Sequence, residues 1–148
     1  MKRSVLLLLV AMVALLLVSG VAIARTINCD GGMCRGTNNK DTMYGSGRGD
    51  TIYSLRGADL VRGYSRADSL NGDGGRDRLV GGNGDDQVNG GDADDVLIGS
   101  NGNDGLNAGN GDDRVVADDG EFDVVNCGNG AHDIAVVDGF DRVRECED

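Results

Sequence analysis

The chain has 148 residues, 26 of them glycine and none proline or tryptophan, and its 25 acidic side chains against 14 Lys and Arg leave a net charge of -11. Two Phe and three Tyr cannot build a broad aromatic core, so whatever is buried must be thin and aliphatic, in one small domain at most. So acidic a field repels nucleic-acid phosphates and anionic lipid and favours cations as partners, which excludes a nucleic-acid-binding role.

Lys2 and Arg3 lead an uninterrupted apolar run from Val5 to Val18, followed by Ser19, Gly20 and Ala22-Ile23-Ala24. A charged start, an apolar middle and a small-x-small ending read as a secretory signal peptide over 1–24, cut after Ala24. The competing reading is a retained anchor, since residues 4–24 approach the length of a membrane span. A charge-free core of only 14 residues favours cleavage. The exported chain, 25–148, would then carry 12 basic and 25 acidic residues, net -13, and is expected to be extracellular, monomeric and free of the membrane.

Residues 25–35 read as an N-terminal cap containing Cys29 and Cys34. With Cys127 and Cys146 they make four cysteines, an even number lying wholly in the exported part, as disulfides in an oxidising compartment would. The spacings of 4 and 18 intervening residues contain no Cys-x2-Cys knuckle, which argues against a zinc site.

From residue 36 the chain repeats with a period of nine. Aspartate stands at 41, 50, 59, 68, 77, 86, 95, 104 and 113. Two residues after each comes an apolar side chain: Met43, Ile52, Val61, Leu70, Leu79, Val88, Leu97, Leu106 and Val115. In the unit Gly81-Gly82-Asn83-Gly84-Asp85-Asp86-Gln87-Val88-Asn89, numbered 1 to 9, the invariable features are thus Asp at position 6 and an aliphatic at position 8. Glycine opens most units, with Ser54 and Ala108 as substitutes, and recurs at position 4 as Gly57, Gly75, Gly84, Gly102 and Gly111. Glycine at this density, without a 3.6-residue stripe, excludes helices. The pattern splits each unit into a six-residue turn and a three-residue strand, in which one side chain points inward and its neighbours outward. Two units make an 18-residue coil. Successive coils would stack with parallel strands about 4.8 Å apart, a solenoid in which each coil is stabilised by its neighbours and the ends need caps.

These units resemble the RTX, or haemolysin-type, calcium-binding nonapeptide repeats. The resemblance is strict over 36–116 and looser over 117–148, where Asp123 and Asp133 follow at ten-residue spacing, and where Asp123-Val124-Val125-Asn126-Cys127-Gly128 and Asp141-Arg142-Val143-Arg144-Glu145-Cys146 are similar to the C-terminal cap of small secreted members. It implies an all-β fold, a right-handed parallel β-roll with Ca²⁺ held between turns.

Calcium wants six to eight oxygens, some charged and some neutral. Glycine-rich turns supply backbone carbonyls, and position-6 aspartates on one edge, 18 residues apart, supply charge: Asp68 with Asp86, Asp77 with Asp95, Asp86 with Asp104, Asp95 with Asp113. The candidate metal residues are therefore those six aspartates with the turn residues Gly81, Gly82, Asn83 and Gly84, then Gly90, Gly91 and Asp92, then Gly99, Asn101 and Gly102. Asp85, Asp94 and Asp112 are expected to face solvent. Residues 36–71 hold five basic residues against four Asp, whereas 72–116 hold three against ten, so ions should prefer the second half. Arg48 and Arg66 occupy position 4, are strained there if left-handed, and are expected to replace ions with salt bridges.

Some five stacked coils would separate the ends by more than about 20 Å, beyond the roughly 7 Å that a disulfide tolerates between Cα atoms. The expected pairs are Cys29 with Cys34 and Cys127 with Cys146. Val124, Val125, Ile134, Val136, Val137 and Val143 should cover the last coil, with Phe122 and Phe140 in the core. His132, the only histidine, reads as a solvent-facing turn residue without a nucleophile beside it. Arg48-Gly49-Asp50 spells an adhesion tripeptide, but it falls in register with the repeat. No catalytic residue is expected, and calcium is the only cofactor. The function expected is that of a secreted, non-catalytic calcium-binding repeat protein, with a structural, adhesive or ice-binding solenoid as the alternative and no macromolecular partner specified.

Overall fold

A computed structural model describes residues 23–146, so the signal segment read over 1–24 lies almost wholly outside the described residues. Fourteen strands follow one another: β1 (Arg25–Asn28), β2 (Gly32–Arg35), β3 (Asp41–Tyr44), β4 (Asp50–Tyr53), β5 (Leu60–Ser65), β6 (Ser69–Gly74), β7 (Arg78–Asn83), β8 (Gln87–Asp92), β9 (Val96–Asn101), β10 (Gly105–Asn110), β11 (Arg114–Ala117), β12 (Val124–Asn129), β13 (Ile134–Val137) and β14 (Arg142–Arg144). Odd-numbered strands form one seven-stranded sheet and even-numbered strands the other, all pairs parallel. The described residues contain no helix. The architecture is a β-solenoid of about seven turns.

The register follows the repeat. Met43 pairs with Val61, Val61 with Leu79 and Leu79 with Leu97 on one sheet; Ile52 with Leu70, Leu70 with Val88 and Val88 with Leu106 on the other. Each step is one coil, and the two aliphatic columns meet as a single buried ladder. The C-terminal units carry insertions, yet Leu106 still pairs with Val125 and Val115 with Ala135. The extra residues are taken up in turns, where a longer loop costs little.

Three features differ from the expectation. The central strands are six residues long rather than three, because two-residue alternation continues through positions 6, 8 and 1. Asp77, Leu79 and Gly81 are consecutive inward-facing residues, so each unit buries three residues and the carboxylate is one of them. Glycine at position 1 is steric: a Cβ on Gly81 would collide with the Asp86 carboxylate and with the Gly99 carbonyl of the next coil. Secondly, the end segments are coils of the same solenoid, β1 and β2 pairing on β3 and β4, and β13 and β14 on β11 and β12. Thirdly, Phe122 and Phe140 are exposed, as are Val124 and Ile134 on the outer faces. Both phenylalanines lie in connecting segments outside the strands, and only Val125 and Val137 of the expected covering residues pack on the core, Val125 fully buried.

The disulfides pair as expected, Cys29 with Cys34 and Cys127 with Cys146 at Cα separations of 5.8 and 4.9 Å. Each lies near an end, where a coil has a neighbour on one side only.

Candidate metal centre

Both edges of the solenoid carry a column of buried aspartates: Asp41, Asp59, Asp77, Asp95, Asp113 and Asp133 on one, Asp50, Asp68, Asp86, Asp104 and Asp123 on the other, none more than 5% exposed. Burying a carboxylate is costly unless both oxygens are engaged. One oxygen is provided for by the fold. The backbone N–H of each aspartate except Asp133, the last of its column, donates to Oδ1 of the aspartate one coil on: Asp59 to Asp77 at 2.8 Å, Asp77 to Asp95 at 2.7 Å, Asp68 to Asp86 at 2.8 Å, Asp86 to Asp104 at 2.8 Å, and so through Asp123 to Asp141 at 3.0 Å.

The second oxygen is not. Among the described residues, Oδ2 of Asp59, Asp68, Asp77, Asp86, Asp95, Asp104, Asp113 and Asp123 is buried and has no hydrogen-bond partner. It points at the glycine that opens its own unit: a Cβ on Gly63, Gly72, Gly81, Gly90 or Gly99 would strike Oδ2 of Asp68, Asp77, Asp86, Asp95 or Asp104. Burial pushes these acids up, to about 7 for Asp77, Asp86 and Asp104, about 8 for Asp95 and about 6 for Asp123. The N–H bond from the previous coil offsets part of that rise, and repulsion from neighbouring aspartates adds to it. Asp59, Asp68 and Asp113 are raised for the same leading reason. Each such oxygen calls for a positive partner, a proton or a cation.

The turns that carry these aspartates also carry neutral oxygens. Carbonyls at positions 2 and 4 face the next coil so closely that a Cβ on Gly82, Gly102 or Gly109 would collide with the carbonyl of Tyr64, Gly84 or Gly91. Carboxylate and carbonyl oxygens, with no sulfur or imidazole, are the donor set of a hard cation such as calcium. No three Asp, Glu, His or Cys side chains converge among the described residues. An ion here would draw its charge from one or two carboxylates and the remainder of its shell from carbonyls and water.

The six expected aspartates stack on the two edges as anticipated from their 18-residue spacing. Gly81, Gly90 and Gly99 lie against them, while Gly82, Gly84, Gly91 and Gly102 hold the left-handed turn, with φ of 123°, 126°, 115° and 128°. Asn83, Asp92 and Asn101 are exposed, and their side chains join outer ladders: Asn101 Nδ2 donates to Asn83 Oδ1 at 2.7 Å and Asn110 Nδ2 to Asp92 Oδ1 at 2.8 Å. Their backbone carbonyls, not their side chains, belong to the turn. Asp85 and Asp112 are exposed and Asp94 half-buried, each bonding the backbone of the next coil, as in Asn103 N–H to Asp85 Oδ1 at 3.0 Å. Asp59 and Asp123 belong to the same series as the expected six; their Asp columns were visible, but not the direction of their carboxylates.

Arg48 and Arg66 make no salt bridge. Among the described residues the side-chain ion pairs are Arg76 with Asp94 and His132 with Asp112. Arg66 does take the strained left-handed form, with φ of 75°, whereas Arg48 does not. In the first two units the oxygen is satisfied locally instead: Thr37 donates N–H and Oγ1–H to Asp41 Oδ2 at 2.6 and 2.8 Å, and Ser46 donates N–H and Oγ–H to Asp50 Oδ2 at 2.7 and 2.9 Å. Asp50 is 2% exposed, so the tripeptide Arg48-Gly49-Asp50 presents no carboxylate to an adhesion receptor. His132 is exposed, its ring 3.4 Å from Asp112.

The family model described as the RTX calcium-binding nonapeptide repeat matches the chain in four copies, over residues 35–65, 54–88, 62–97 and 89–121. No curated protein and no solved structure shows a significant match to the chain. The matched span covers the units that carry Asp41 to Asp113.

Proposed function

The chain belongs to the RTX calcium-binding nonapeptide repeat family, and from that premise we propose that it is an exported, non-catalytic protein whose folding is driven by calcium held between the turns of adjacent coils. The observation that carries this reading is the series of buried Oδ2 atoms from Asp59 to Asp123 without a partner. A protein at neutral pH would have to protonate them or leave buried anions uncompensated. Calcium compensates them and draws successive coils together. The aspartates act as charge donors on both edges. The glycines admit the carboxylate at position 1 and the left-handed turn at positions 2 and 4, and the Asp N–H groups fix Oδ1 so that Oδ2 is the oxygen left for the ion.

The magnitudes suffice. A site with a dissociation constant near 10⁻⁴ M, ordinary for extracellular modules, contributes about 1.4 kcal/mol at roughly 1 mM free calcium. Four or five such sites together reach about 6 to 7 kcal/mol, comparable to the stability of a small domain. Export is supported by the Lys2-Arg3 start, the apolar run before Ala24, and the two disulfides, which persist in oxidising compartments. Circular dichroism of the chain in EDTA, then in millimolar calcium, tests the reading. Strand signal should appear with calcium and not with equal magnesium, whose small octahedral shell suits this donor set poorly. Equal spectra in EDTA and calcium would refute it.

A second reading, a solenoid that adheres to a surface with calcium only structural, draws on the outer face of the even-numbered sheet. There Asn107 Nδ2 donates to Asn89 Oδ1 at 2.8 Å and Asn126 Nδ2 to Asn107 Oδ1 at 3.2 Å, a regular amide ladder. Asn107→Asp would place a carboxylate in that ladder without touching a turn. Loss of adhesion to a solid surface with calcium uptake intact would favour this reading, and unchanged adhesion would remove it.

A further inference from the structure

The nine-residue units contain two kinds of turn, and the division falls between residues 53 and 54. In every unit from 54 to 116 the residues at positions 2 and 4 are both left-handed: Leu55 and Gly57, Tyr64 and Arg66, Asp73 and Gly75, Gly82 and Gly84, Gly91 and Ala93, Ser100 and Gly102, Gly109 and Gly111. In each of these the position-6 Oδ2 has no partner; the Ser54 hydroxyl, which lies close to Asp59, donates instead to the Gly72 carbonyl at 2.9 Å. In units 36–44 and 45–53, none of Thr37, Asn39, Ser46 and Arg48 has a positive φ, and the position-2 residue turns both its N–H and its hydroxyl onto Oδ2. The two turns are alike in detail. Asn39 N–H donates to Thr37 Oγ1 and Arg48 N–H to Ser46 Oγ, each at 3.2 Å, so each hydroxyl accepts one bond and donates another.

A hydroxyl at position 2 is not sufficient by itself. Ser100 stands at the same position as Ser46, yet its φ is 79°, and Asp104 Oδ2 in its unit is without a partner. The difference lies at position 4, Gly102 in one unit and Arg48 in the other. Lack of glycine at position 4 is not sufficient either. Arg66 and Ala93 accept φ of 75° and 80°, and their units, with Tyr64 and Gly91 at position 2, leave Asp68 and Asp95 open. Both conditions are met only by Thr37 with Asn39 and by Ser46 with Arg48. The physical reason is additive. A side chain at position 4 costs about 1 to 2 kcal/mol in the left-handed form, and a hydroxyl at position 2 gives the alternative turn a second donor for the buried oxygen. One inducement is outweighed; two are not.

We infer that Thr37 with Asn39 and Ser46 with Arg48 replace the cation in their own units, so that the first two repeats take no calcium and the ion series begins with Asp59 and Asp68. This rests on the calcium reading above and adds to it which repeats are ion sites and which residue pair decides. The solenoid would thus carry, beside the Cys29–Cys34 disulfide, a stretch whose buried carboxylates are satisfied before any ion arrives.

The test is the number of ions bound by the full chain, counted by calorimetry and by native mass spectrometry, with circular dichroism recorded on the same samples. Asp41→Asn with Asp50→Asn should leave the count at the wild-type value, whereas Asp86→Asn with Asp95→Asn should lower it. Asn39→Gly with Arg48→Gly changes side chains outside the core and makes both units resemble the Ser100 and Gly102 unit. It should raise the count by one or two ions, a gain that a merely structural role for these turns would not produce. Should the asparagine pair fail to fold, the glycine pair decides. An unchanged or lower count in the glycine pair, or ions lost from a folded Asp41→Asn, Asp50→Asn chain, overturns the inference while leaving the calcium reading intact. A wild-type chain that takes up no calcium overturns both.

Discussion

At the scale of the residue, the position-6 aspartate has two oxygens with separate tasks. Oδ1 receives the N–H of the previous coil, and Oδ2 is left for a positive partner. The same division sets the pH response. The folded acids rise from about 3.8 toward 7 or 8 at Asp77, Asp86, Asp95 and Asp104, so the ion-free folded chain binds more protons than the unfolded one. Its stability is therefore greatest below about pH 4, and is lost as pH rises through the folded values. In chelator, acidification from pH 8 toward pH 4.5 should increase the strand signal in circular dichroism, with protons standing in for calcium. In calcium the affinity should fall over the same window, because ion and proton compete for one oxygen. A chelated chain that loses strand signal on acidification would contradict this. At position 8 the stabilising contact is apolar. Leu97 is wholly buried, and Leu97→Ala should cost about 2 to 5 kcal/mol, read as a lower denaturation midpoint in saturating calcium.

At the scale of the element, each coil is held by strand pairing, one aliphatic rung and its turns, and the end coils lack one neighbour. The Cys127–Cys146 disulfide ties β12 to the residues just after β14, the last strand, whose three residues are all exposed. Closing a loop of that length is worth on the order of 3 kcal/mol. Cys127→Ser with Cys146→Ser should therefore increase hydrogen exchange over 134–146 while leaving 72–116 near wild type, and uniform protection would show that the bridge is dispensable. Much of this element was legible in the repeat. The nine-residue spacing of Asp and aliphatic residues implied parallel coils of 18 residues, the stacking of Asp86 on Asp104, and the disulfide pairs. The inward direction of the aspartate was not legible, because a residue flanked by turn glycines reads as part of the turn, whereas in the folded chain alternation runs unbroken from Asp77 through Leu79 to Gly81. The self-satisfied turns at Thr37 and Ser46 were equally hidden, since Ser100 has the same residue type at the same position and behaves otherwise. Phe122 and Phe140 are exposed although large apolar residues are usually interior, because both lie in connecting segments outside the strands, whose alternation is what points side chains inward.

At the scale of the whole molecule, charge and shape are separated. The outward residues of the odd-numbered sheet include Arg62, Arg78, Val80, Val96, Ile98, Arg114 and Val116, and those of the even-numbered sheet Ser69, Asn71, Gln87, Asn89, Asn107 and Asn126. No carboxylate lies among these, and those of residues 59–123 gather in the turns and at the buried edge columns. Without cations the two columns repel along their length, and what opposes them is a thin aliphatic core, strand pairing, the N–H bonds to Oδ1 and the two end disulfides. Folding should therefore be a property of the loaded chain as a unit, with X-ray scattering showing the radius of gyration fall from roughly 36 Å toward roughly 14 Å for the 124 residues after Ala24 as calcium is added. A radius already small in chelator would mean that the coils need no ion to stack.

The most direct test of the account is anomalous diffraction from crystals of the chain grown in calcium. Peaks should lie along both edges beside Oδ2 of the series from Asp59 to Asp123, and none beside Asp41 or Asp50. Ordered coils with no calcium peak at any of those oxygens would contradict it.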